Sequence, residues 1–349
     1  MTSPGLFALV QCPDCGSGIT ASGDSSSCGG CGRVFATSAG YLDLRPTQTF
    51  TEQTKYLDEA LHTDARHETV APPLLGSKIR NDMLRQFLQL RPGDRVLDLG
   101  CGSGRTLAWN AASGAALTGI DIAPFFAREA VADCDLVLGD LRRLPLRNDA
   151  FGKAWSLDVL EHLSKPALLE MLKEANRILA PGGALFVYTH VRKNGWIAIG
   201  VRLVNRLARV LERVGLLDLR QERLRKSDHL NPLVDHDDLA RVAAECGFSI
   251  ERITYYTPVI GSFVENILAR IAERFLARRS STGPADTPEA QAEAVRRART
   301  SAQARVRKGG FTYGVLVVFS ALMKLDVVLF GRLRSGPFFA LLRKPGAAS

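Results

Sequence analysis

The fold is decided by residues 96–104, which read VLDLGCGSG. Four β-compatible residues run into three alternating glycines, and a helix-compatible segment follows at 105–112. This order predicts a strand that ends in a tight loop at the N-terminus of a helix, where the backbone can closely approach a ligand. Asp98 lies just before the glycines, and its carboxylate repels a pyrophosphate but suits a ligand that carries an ammonium or sulfonium group. A lone Gly-x-Gly-x-Gly is weak evidence by itself, since tight turns use glycine for steric reasons.

Two more acidic residues follow predicted strands further along the chain. Asp121 comes after the stretch 116–120, and Asp140 comes after the stretch 135–139. A carboxylate at the end of the second strand can accept hydrogen bonds from the ribose hydroxyls of a nucleoside, and Asp140 falls near the expected adenine amino group. Each acid alone is more often a turn residue or a helix cap. Because all three acids come at successive strand ends, they predict a nucleoside-binding crevice at the carboxyl edge of a parallel sheet.

Beyond its first 75 residues the chain alternates between strand-like and helix-like segments, as in a doubly wound α/β fold. The first helix is predicted at 76–90, where apolar residues recur on one face. The predicted strands are 94–99, 116–120, 135–139, 153–158, 183–190 and 249–257, and the predicted helices that alternate with them are 103–113, 123–132, 165–179 and 235–246.

These segments resemble the class I S-adenosylmethionine-dependent methyltransferases, in particular the type 11 group. The resemblance covers residues 75–190 and resumes at 233–257. The motifs that carry it are VLDLGCGSG at 96–104, GID at 119–121, GDL at 139–141, LPL at 144–146, SLDVLEHL at 156–163 and NRILAPGG at 176–183. Phe151-Gly152 departs from the Phe-Asp that is usual in the family, and we expect only a small effect on folding.

The resemblance implies a seven-stranded, Rossmann-like sheet and an enzyme that uses S-adenosylmethionine as its methyl donor. It implies that the glycine loop holds the amino-acid end of the cofactor, that Asp121 binds the ribose, and that Asp140 with Leu141 binds the adenine. The full set of implied cofactor-binding residues is Asp98, Gly100, Cys101, Gly102, Gly104, Asp121, Ile122, Asp140, Leu141 and Asp158. On the preceding helix, Lys78 or Arg80 is expected to meet the cofactor carboxylate.

His162 is the candidate catalytic residue. Methyl transfer from a sulfonium is an in-line displacement, to which an enzyme contributes mainly proximity and orientation, with a general base if the acceptor is a hydroxyl. His162 follows the fourth strand near the expected methyl face of the cofactor, which suits a base. The alternative is that His162 starts a helix and hydrogen-bonds the backbone. A carbon or amine acceptor would need no base.

Four cysteines near the N-terminus form two Cys-x-x-Cys pairs, Cys12 with Cys15 and Cys28 with Cys31. This spacing can place four thiolates tetrahedrally around one zinc ion, and we expect the zinc to be structural because cysteine fills all four positions. A redox pair and a fortuitous pattern are the alternatives. Residues 40–44, which read GYLDL, are predicted to close this zinc ribbon as its last strand.

The N-terminus also bears on the cellular compartment. The apolar run 6–10 is too short for a secretory signal, and Cys12 follows it at once. We therefore expect a reducing compartment, where paired cysteines bind metal more often than they form disulfides. The other three cysteines, Cys101, Cys134 and Cys246, lie in predicted regular elements and are expected to be small buried hydrophobes.

The pattern predicts a multi-part chain with two insertions that do not fit the strand–helix alternation. The predicted parts are a zinc-ribbon module (1–45), a linker (46–75), a methyltransferase core (76–257) with an arginine-rich helical insertion (191–230), a helical, partly apolar insertion (258–335), and the last core strand with a tail (336–349). Within the second insertion, 280–294 is expected to be a flexible linker and 296–308 a basic helix.

The second insertion contains an apolar run at 311–330, which has the length of a membrane span. Lys324 and Asp326 oppose a span, because each costs roughly 2.5–3.5 kcal/mol at a helix centre. Residues 338–345 are similar to the family's seventh strand, antiparallel beside the fifth, and a single crossing would leave that strand on the wrong side. We expect the run to be a lid over the acceptor pocket or a helix in the membrane interface. The flanking basic residues favour the interfacial helix, because they attract anionic lipid. A buried core helix and a transmembrane helix are the alternatives.

Composition and insertions together indicate the substrate class. The chain has 349 residues, of which 46% are hydrophobic, and its net charge of +9 favours an acidic partner, either nucleic acid or an anionic membrane surface. Because both insertions are amphipathic or apolar, we expect a methyltransferase that acts on a small apolar or lipid-linked acceptor. The expected location is the cytoplasm, with peripheral association with the inner face of the membrane.

Two other functions are weighed against this one. A zinc ribbon ahead of this domain resembles the layout of certain ribosomal RNA base methyltransferases, but Cys31 stands where those enzymes carry a histidine. The sequence also lacks an aromatic-studded basic strip of the kind that stacks bases. A non-catalytic cofactor-binding scaffold is the third hypothesis, and the intact set of Asp98, Asp121 and Asp140 argues against it.

Overall fold

The computed structural model describes residues 3–22, 25–37, 40–47, 70–192, 195–219, 223, 229–272 and 310–346. The predicted flexible stretch 280–294 and basic helix 296–308 lie outside these residues, as does most of the predicted linker 46–75. The strands are β1 (Ile19–Ser22), β2 (Ser25–Cys28), β3 (Val34–Ala36), β4 (Leu42–Asp43), β5 (Arg95–Leu99), β6 (Ala116–Asp121), β7 (Asp135–Leu138), β8 (Phe151–Leu157), β9 (Leu179–His190), β10 (Ser249–Tyr255) and β11 (Pro337–Arg343). The helices are α1 (Pro4–Phe7), α2 (Leu75–Leu88), α3 (Arg105–Asn110), α4 (Arg128–Asp133), α5 (Lys165–Ile178), α6 (Ile199–Arg213), α7 (His236–Glu245), α8 (Val259–Phe263) and α9 (Phe311–Phe330).

The central sheet has the strand order β10-β11-β9-β8-β5-β6-β7-β4. Neighbouring strands from β9 to β4 run parallel, whereas β11 is antiparallel to both β9 and β10. The chain winds in one direction from β5 to β7 and in the other from β8 to β11, so β5 and β8 flank a topological switch point, where open α/β sheets bind ligands. The predicted doubly wound, class I methyltransferase-type sheet is therefore confirmed, with its last strand antiparallel beside β9. It has eight strands rather than the expected seven, because β4 adds to the edge at β7.

Helices cover both faces of this sheet, because successive residues of a strand point to opposite faces. In β5, Val96 packs into the core that includes α2, whereas Leu97 and Leu99 pack into the core that includes α5. Helix α5 begins at a cap in which Ser164 Oγ accepts a hydrogen bond from the Ala167 N–H. The two-sided packing holds the strand ends, and thereby the turns that follow them, in place.

The prediction that residues 40–44 close the N-terminal ribbon is wrong. Strands β1, β2 and β3 form their own antiparallel sheet, and β4 instead runs parallel to β7 at the edge of the central sheet. The Leu44 N–H extends this pairing by donating to the Leu138 carbonyl at 2.9 Å. Leu42 and Leu44 are fully buried in the core on the α5 face of the sheet. The physical reason is that a small ribbon has too little core of its own to bury these leucines.

A second contact joins the N-terminal module to the loop that follows β7. The Gln11 N–H donates to the Pro145 carbonyl at 3.0 Å, and the Arg147 N–H donates to the Leu9 carbonyl at 2.8 Å. The end of the loop is thus held by the backbone of Leu9 and Gln11, which follow α1, and its start is held by β7. We refer to residues 139–147 below as the β7 loop.

Helix α9 packs on α2 with one side and exposes apolar side chains on the other. By length and composition, residues Thr312–Phe330 could cross a membrane. The two charges within the helix are engaged by the domain. Asp326 is fully buried and accepts hydrogen bonds from two backbone N–H groups in the first turn of α8, and Lys324 Nζ lies 3.4 Å from Asp82 Oδ2. The helix is therefore neither a wholly buried core helix nor detached from the α/β domain.

Substitution of Leu44 tests whether the N-terminal module and the α/β domain unfold together. Leu44→Ala is expected to lower the free energy of unfolding by about 2–5 kcal/mol, because it leaves a cavity at a fully buried site. All three tryptophans lie outside the module, so tryptophan fluorescence during denaturant unfolding reports on the α/β domain. Val34→Ala, at an exposed site in β3, is the control and should change stability by less than about 0.5 kcal/mol. A fluorescence midpoint that Leu44→Ala leaves unchanged would mean that the module folds independently.

Candidate active site

A cavity of about 390 Å³ opens at the carboxyl ends of β5, β6, β7 and β8. Its walls are the turns that follow these strands, which is the expected place for a ligand in this kind of sheet. The residues predicted to bind the cofactor that line it are Gly100, Cys101, Gly102, Asp121, Ile122, Asp140, Leu141 and Asp158. The predicted base His162 also lines the cavity, whereas Asp98 and Gly104 do not.

The turn after β5 brings main-chain atoms to the cavity wall. Gly102 has a φ of +54°, and the space beside its Cα is open. Gly104 has a φ of +77°, and a Cβ there would lie 2.5 Å from the Cβ of Ala130, so this glycine allows α3 and α4 to pack closely. Asp121 holds the turn, because its Oδ2 accepts a hydrogen bond from the Gly102 N–H at 2.8 Å and its Oδ1 accepts one from the Ala123 N–H at 3.0 Å.

Asp98 lies beneath this turn and is only 3% exposed. Burial raises the pKa of Asp98 to about 8, and the negative charge of Asp121 adds to the shift. A carboxyl group with this pKa is mostly protonated at pH 7, and a cation bound near it would favour its charged form. Direct contact of Asp98 with a cofactor ammonium group stays a prediction, since the side chain does not reach the cavity wall.

Two arginine–carboxylate pairs flank the cavity. At the β7 loop, Arg142 Nη2 lies 3.1 Å from Asp140 Oδ2. After β8, Asp158 adopts a φ of +55°, and its Oδ2 lies 3.2 Å from Arg80 Nε on α2. Of the two residues predicted to meet a cofactor carboxylate, Arg80 therefore reaches the cavity wall through Asp158. Lys78 instead pairs with the carboxylate one turn further along α2, at 3.1 Å.

Three histidines surround a buried carboxylate on the β8 side of the cavity. The His229 ring lies edge-on to His162, with centroids 4.7 Å apart, and tilted to His190, with centroids 5.2 Å apart. Thr189 Oγ1 donates to Glu161 Oε2 at 2.8 Å, and His190 Nδ1 lies 4.0 Å from Glu161 Oε1. Burial raises the pKa of Glu161 to about 8, and a neighbouring carboxylate adds to the shift. We call Glu161, His162 and His229 the Glu–His–His cluster.

Sequence reasoning missed Glu161 and His229. Glu161 could have been found from the sequence, because it directly precedes His162 in the motif after the fourth strand. No sequence pattern pointed to His229, since it lies at the end of the first insertion, far along the chain from His162. The structure places it through two hydrogen bonds, in which Leu230 N–H and Asn231 N–H both donate to the Glu161 carbonyl, at 2.8 and 2.9 Å.

The four N-terminal cysteines converge as their spacing predicts. Their Sγ atoms all lie within 4.8 Å of one another, with Cys12 and Cys31 3.7 Å apart and Cys15 and Cys28 3.3 Å apart. The N–H groups that follow Cys28 in its knuckle point at its Sγ, at 3.3 and 3.4 Å. Four thiolates in this arrangement fit one tetrahedral zinc ion.

The α/β part of the chain is similar to known methyltransferases. Residues 97–187 match the type 11 family model described as "Methyltransferase domain". The chain is 30% identical over 142 residues to a sterol 4-C-methyltransferase of Caenorhabditis elegans, a match that covers 36% of this chain and 42% of that protein. It is 34% identical over 134 residues to the probable tRNA methyltransferase 9B of Mus musculus, which covers 37% of this chain and 30% of that protein. The chain thus spans less than half the length of either relative.

A solved structure with the same fold supports the assignment of the sheet. Phosphoethanolamine N-methyltransferase 2 of Haemonchus contortus, in complex with phosphomonomethylethanolamine and S-adenosylhomocysteine, superposes with a TM-score of 0.51 at 14% identity. The superposition covers 85% of this chain and 61% of that protein. At this identity the likeness concerns the fold alone.

The raised pKa of Asp98 predicts how stability depends on pH in the absence of ligand. Between about pH 4, where the unfolded chain releases the Asp98 proton, and about pH 8, the folded chain retains it. The folded state then binds more protons than the unfolded state, so this residue makes stability fall as pH rises through that window. Asp98→Asn is expected to flatten the decline, as measured by denaturant unfolding at a series of pH values. Asp133→Asn, at an exposed site on α4, is the control. A decline as steep in Asp98→Asn as in the unsubstituted chain would contradict the assignment.

Proposed function

We propose that the α/β domain, of which residues 97–187 match a methyltransferase family model, transfers a methyl group from S-adenosylmethionine to a small apolar or lipid-linked acceptor. One observation carries the placement of the cofactor: the glycine turn, Asp121 and Asp140 meet on the wall of one cavity at the switch point of the sheet. Backbone N–H groups and strand-end carboxylates at this point suit a nucleoside ligand. The identity of the acceptor rests on the surfaces around the cavity.

In the proposed complex, the ribose hydroxyls donate to Asp121 and the adenine lies in the β7 loop, between Leu141 and Asp140. The methionyl end then lies along the turn at Gly100 and Gly102, above the buried Asp98. These positions are the ones that the family resemblance implies, and they are supported by the order of the strand ends around the cavity and by the close approach that glycine permits. The chain's own contribution to the displacement is to hold the sulfonium carbon and the acceptor atom in line.

The acceptor side of the cavity is proposed to be the wall formed by Asp158, Val159 and His162. The imidazole of His162 is placed to take the proton of a hydroxyl acceptor that enters along this wall. The first insertion closes the wall, because its last residues are hydrogen-bonded to the Glu161 carbonyl. A carbon acceptor, as the name of the sterol methyltransferase relative implies for that protein, would require only orientation.

We propose that Cys12, Cys15, Cys28 and Cys31 hold one structural zinc ion. The proposal is supported by the four converging Sγ atoms. It is also supported by the small size of the β1–β3 sheet, because so small a sheet needs a cross-link such as a bound metal to be stable. When bound, the zinc would cross-link the two Cys-x-x-Cys pairs and would take no part in the chemistry at the cavity. The module would in turn support the β7 loop through Leu9.

Two exposed apolar faces suggest that the protein binds an anionic membrane surface. Along α6 and at its C-terminal cap, four apolar residues are each at least 46% exposed: Ile199, Leu203, Val210 and Val214. Four exposed arginines accompany this stripe: Arg202, Arg206, Arg209 and Arg213. An exposed apolar stripe flanked by arginines is typical of a helix that lies in the membrane interface.

The outer side of α9 supplies the second face. Val318, Leu322, Leu325, Val328 and Leu329 are each at least 42% exposed there. Both α6 and α9 pack against α8, so the two faces border the same short helix. Apolar exposure of this extent on two helices that pack against a common third helix is a feature of interaction surfaces. A membrane-bound enzyme of this shape would take an apolar acceptor without passing it through water.

Transfer of label tests the acceptor class. The full chain, incubated with methyl-labelled S-adenosylmethionine and extracts of the organism that carries the gene, is expected to label the lipid fraction. Asp121→Ala should abolish labelling and weaken cofactor binding about 10- to 150-fold in calorimetry, the loss expected on removing a charged acceptor worth about 1.5–3 kcal/mol. Asp133→Ala is the matched control. Label in RNA would replace the proposed acceptor with nucleic acid, and cofactor binding without any transfer would indicate a binding scaffold.

Flotation with liposomes tests the membrane surface. The unsubstituted chain should float with vesicles that contain anionic phospholipid and much less with zwitterionic vesicles. Leu203→Asp and Arg206→Glu should each weaken binding. For Arg206→Glu the partition coefficient should fall at least about fivefold, since one basic residue near an anionic surface contributes about 1 kcal/mol. Arg241→Glu makes the same charge change at an exposed site on α7 and is expected to float normally. Equal flotation of all variants would exclude the α6 face as the contact.

A further inference from the structure

The Glu–His–His cluster beside the cavity has the composition and proximity of a metal site. One carboxylate oxygen of Glu161 and one ring nitrogen each of His162 and His229 all lie within 4.8 Å of one another. This cluster is separate from the four cysteines, and it sits where the acceptor wall of the cavity meets the end of the first insertion. Two imidazoles and one carboxylate form a donor set that binds divalent transition metals, zinc among them.

The backbone around the cluster is anchored from several directions. The Glu161 carbonyl accepts hydrogen bonds from the two N–H groups that follow His229, which tie that segment to the turn after β8. Arg192 Nε donates to the Asn231 carbonyl at 2.8 Å and holds the segment from the other side. These contacts fix His229 beside Glu161 and His162, although it is distant from them in the chain. A ligand site requires side chains that are held in place in this way.

The carboxylate itself is arranged as a ligand with an outer-shell partner. Thr189 Oγ1 donates to Oε2 of Glu161, and Oε1 lies 4.0 Å from Nδ1 of the neighbouring His190. Metal-bound carboxylates are characteristically oriented by such a hydrogen bond. Ionisation of a carboxyl group that is only 2% exposed is costly without a compensating charge, which a bound cation would supply.

We propose that Glu161, His162 and His229 bind one divalent transition-metal cation of the zinc class, with its open coordination position toward the cavity. The ligand atoms of tetrahedral zinc lie about 3.3 Å apart, given bond lengths of about 2.0–2.1 Å. The three ligand atoms, which lie within 4.8 Å of one another, would draw closer to this spacing on binding. The open position follows from His162, which is both a member of the cluster and part of the cavity wall.

The cation would bind an oxygen of the acceptor and lower the pKa of an acceptor hydroxyl, which is a role that rests on the proposed function. It also changes the part played by His162, because an imidazole nitrogen that ligates a metal cannot take a proton. The metal site itself does not depend on methyl transfer. Its test can therefore succeed or fail independently of the test of the acceptor.

Cobalt substitution distinguishes this site from the cysteine site in one experiment. The tag-free full chain, stripped of metal and titrated with Co²⁺, is expected to bind two equivalents. The cysteine site should give intense thiolate-to-metal charge-transfer bands, and the Glu–His–His cluster should give only weaker ligand-field bands. His229→Ala should lose one equivalent and the weaker bands while retaining the thiolate bands, and Cys31→Ser should show the reverse. Leu230→Ala, at an exposed position in the same segment, is the matched control and should keep both equivalents.

Glu161→Gln provides a second test that preserves the shape of the side chain. It should weaken binding of the second equivalent at least tenfold and leave the cysteine site unchanged. The proposal is overturned if the unsubstituted chain binds one equivalent with thiolate bands alone, or if His229→Ala retains both equivalents. Two equivalents without methyl transfer would leave the metal site standing and contradict the proposed function.

Discussion

The pairing of Leu42 and Asp43 with β7 makes the N-terminal module and the α/β domain one structure. It covers the edge of the sheet, which would otherwise expose unpaired backbone groups. At the start of the same strand, Ser3 Oγ donates to Asp135 Oδ2 at 2.6 Å. The β7 loop then leaves the strand as part of the cavity wall and returns to the module at Pro145. The β7 loop, which is proposed to hold the adenine, is therefore attached to the cysteine module at both ends, through β7 before it and through Pro145 within it.

The two sides of the cavity have different origins in the chain. The donor side consists of turns that directly follow β5, β6 and β7, and its shape follows from the sheet. The proposed acceptor side consists of residues that follow β8, and the insertions pack behind it. The first places His229 against His162, and the second places α9 against α2, the helix that carries Arg80. This division explains why the family resemblance describes the cofactor in detail and says little about the acceptor.

The alternation of strands and helices and the turn at Gly100 to Gly104 could be predicted, because they follow from local hydrophobic periodicity and glycine placement. Asp121 and Asp140 were predicted to lie on one cavity, and they do. Other features depend on tertiary contacts that no local pattern encodes. The GYLDL segment has the appearance of a ribbon strand, but its leucines find a larger core on the central sheet. Asp98 was expected at the ligand, and its burial beneath the turn could not be foreseen, since alternation alone does not reveal which polar residue a turn will cover.

The central claim, that the cysteine module supports the cofactor cavity, can be measured by hydrogen exchange of residues 135–147 in the full chain. Cys31→Ser removes a proposed zinc ligand at an exposed site and spares the core. We predict faster exchange in both the module and residues 135–147, together with weaker binding of S-adenosylmethionine. Faster exchange confined to residues 12–36, with unchanged cofactor affinity, would contradict the account.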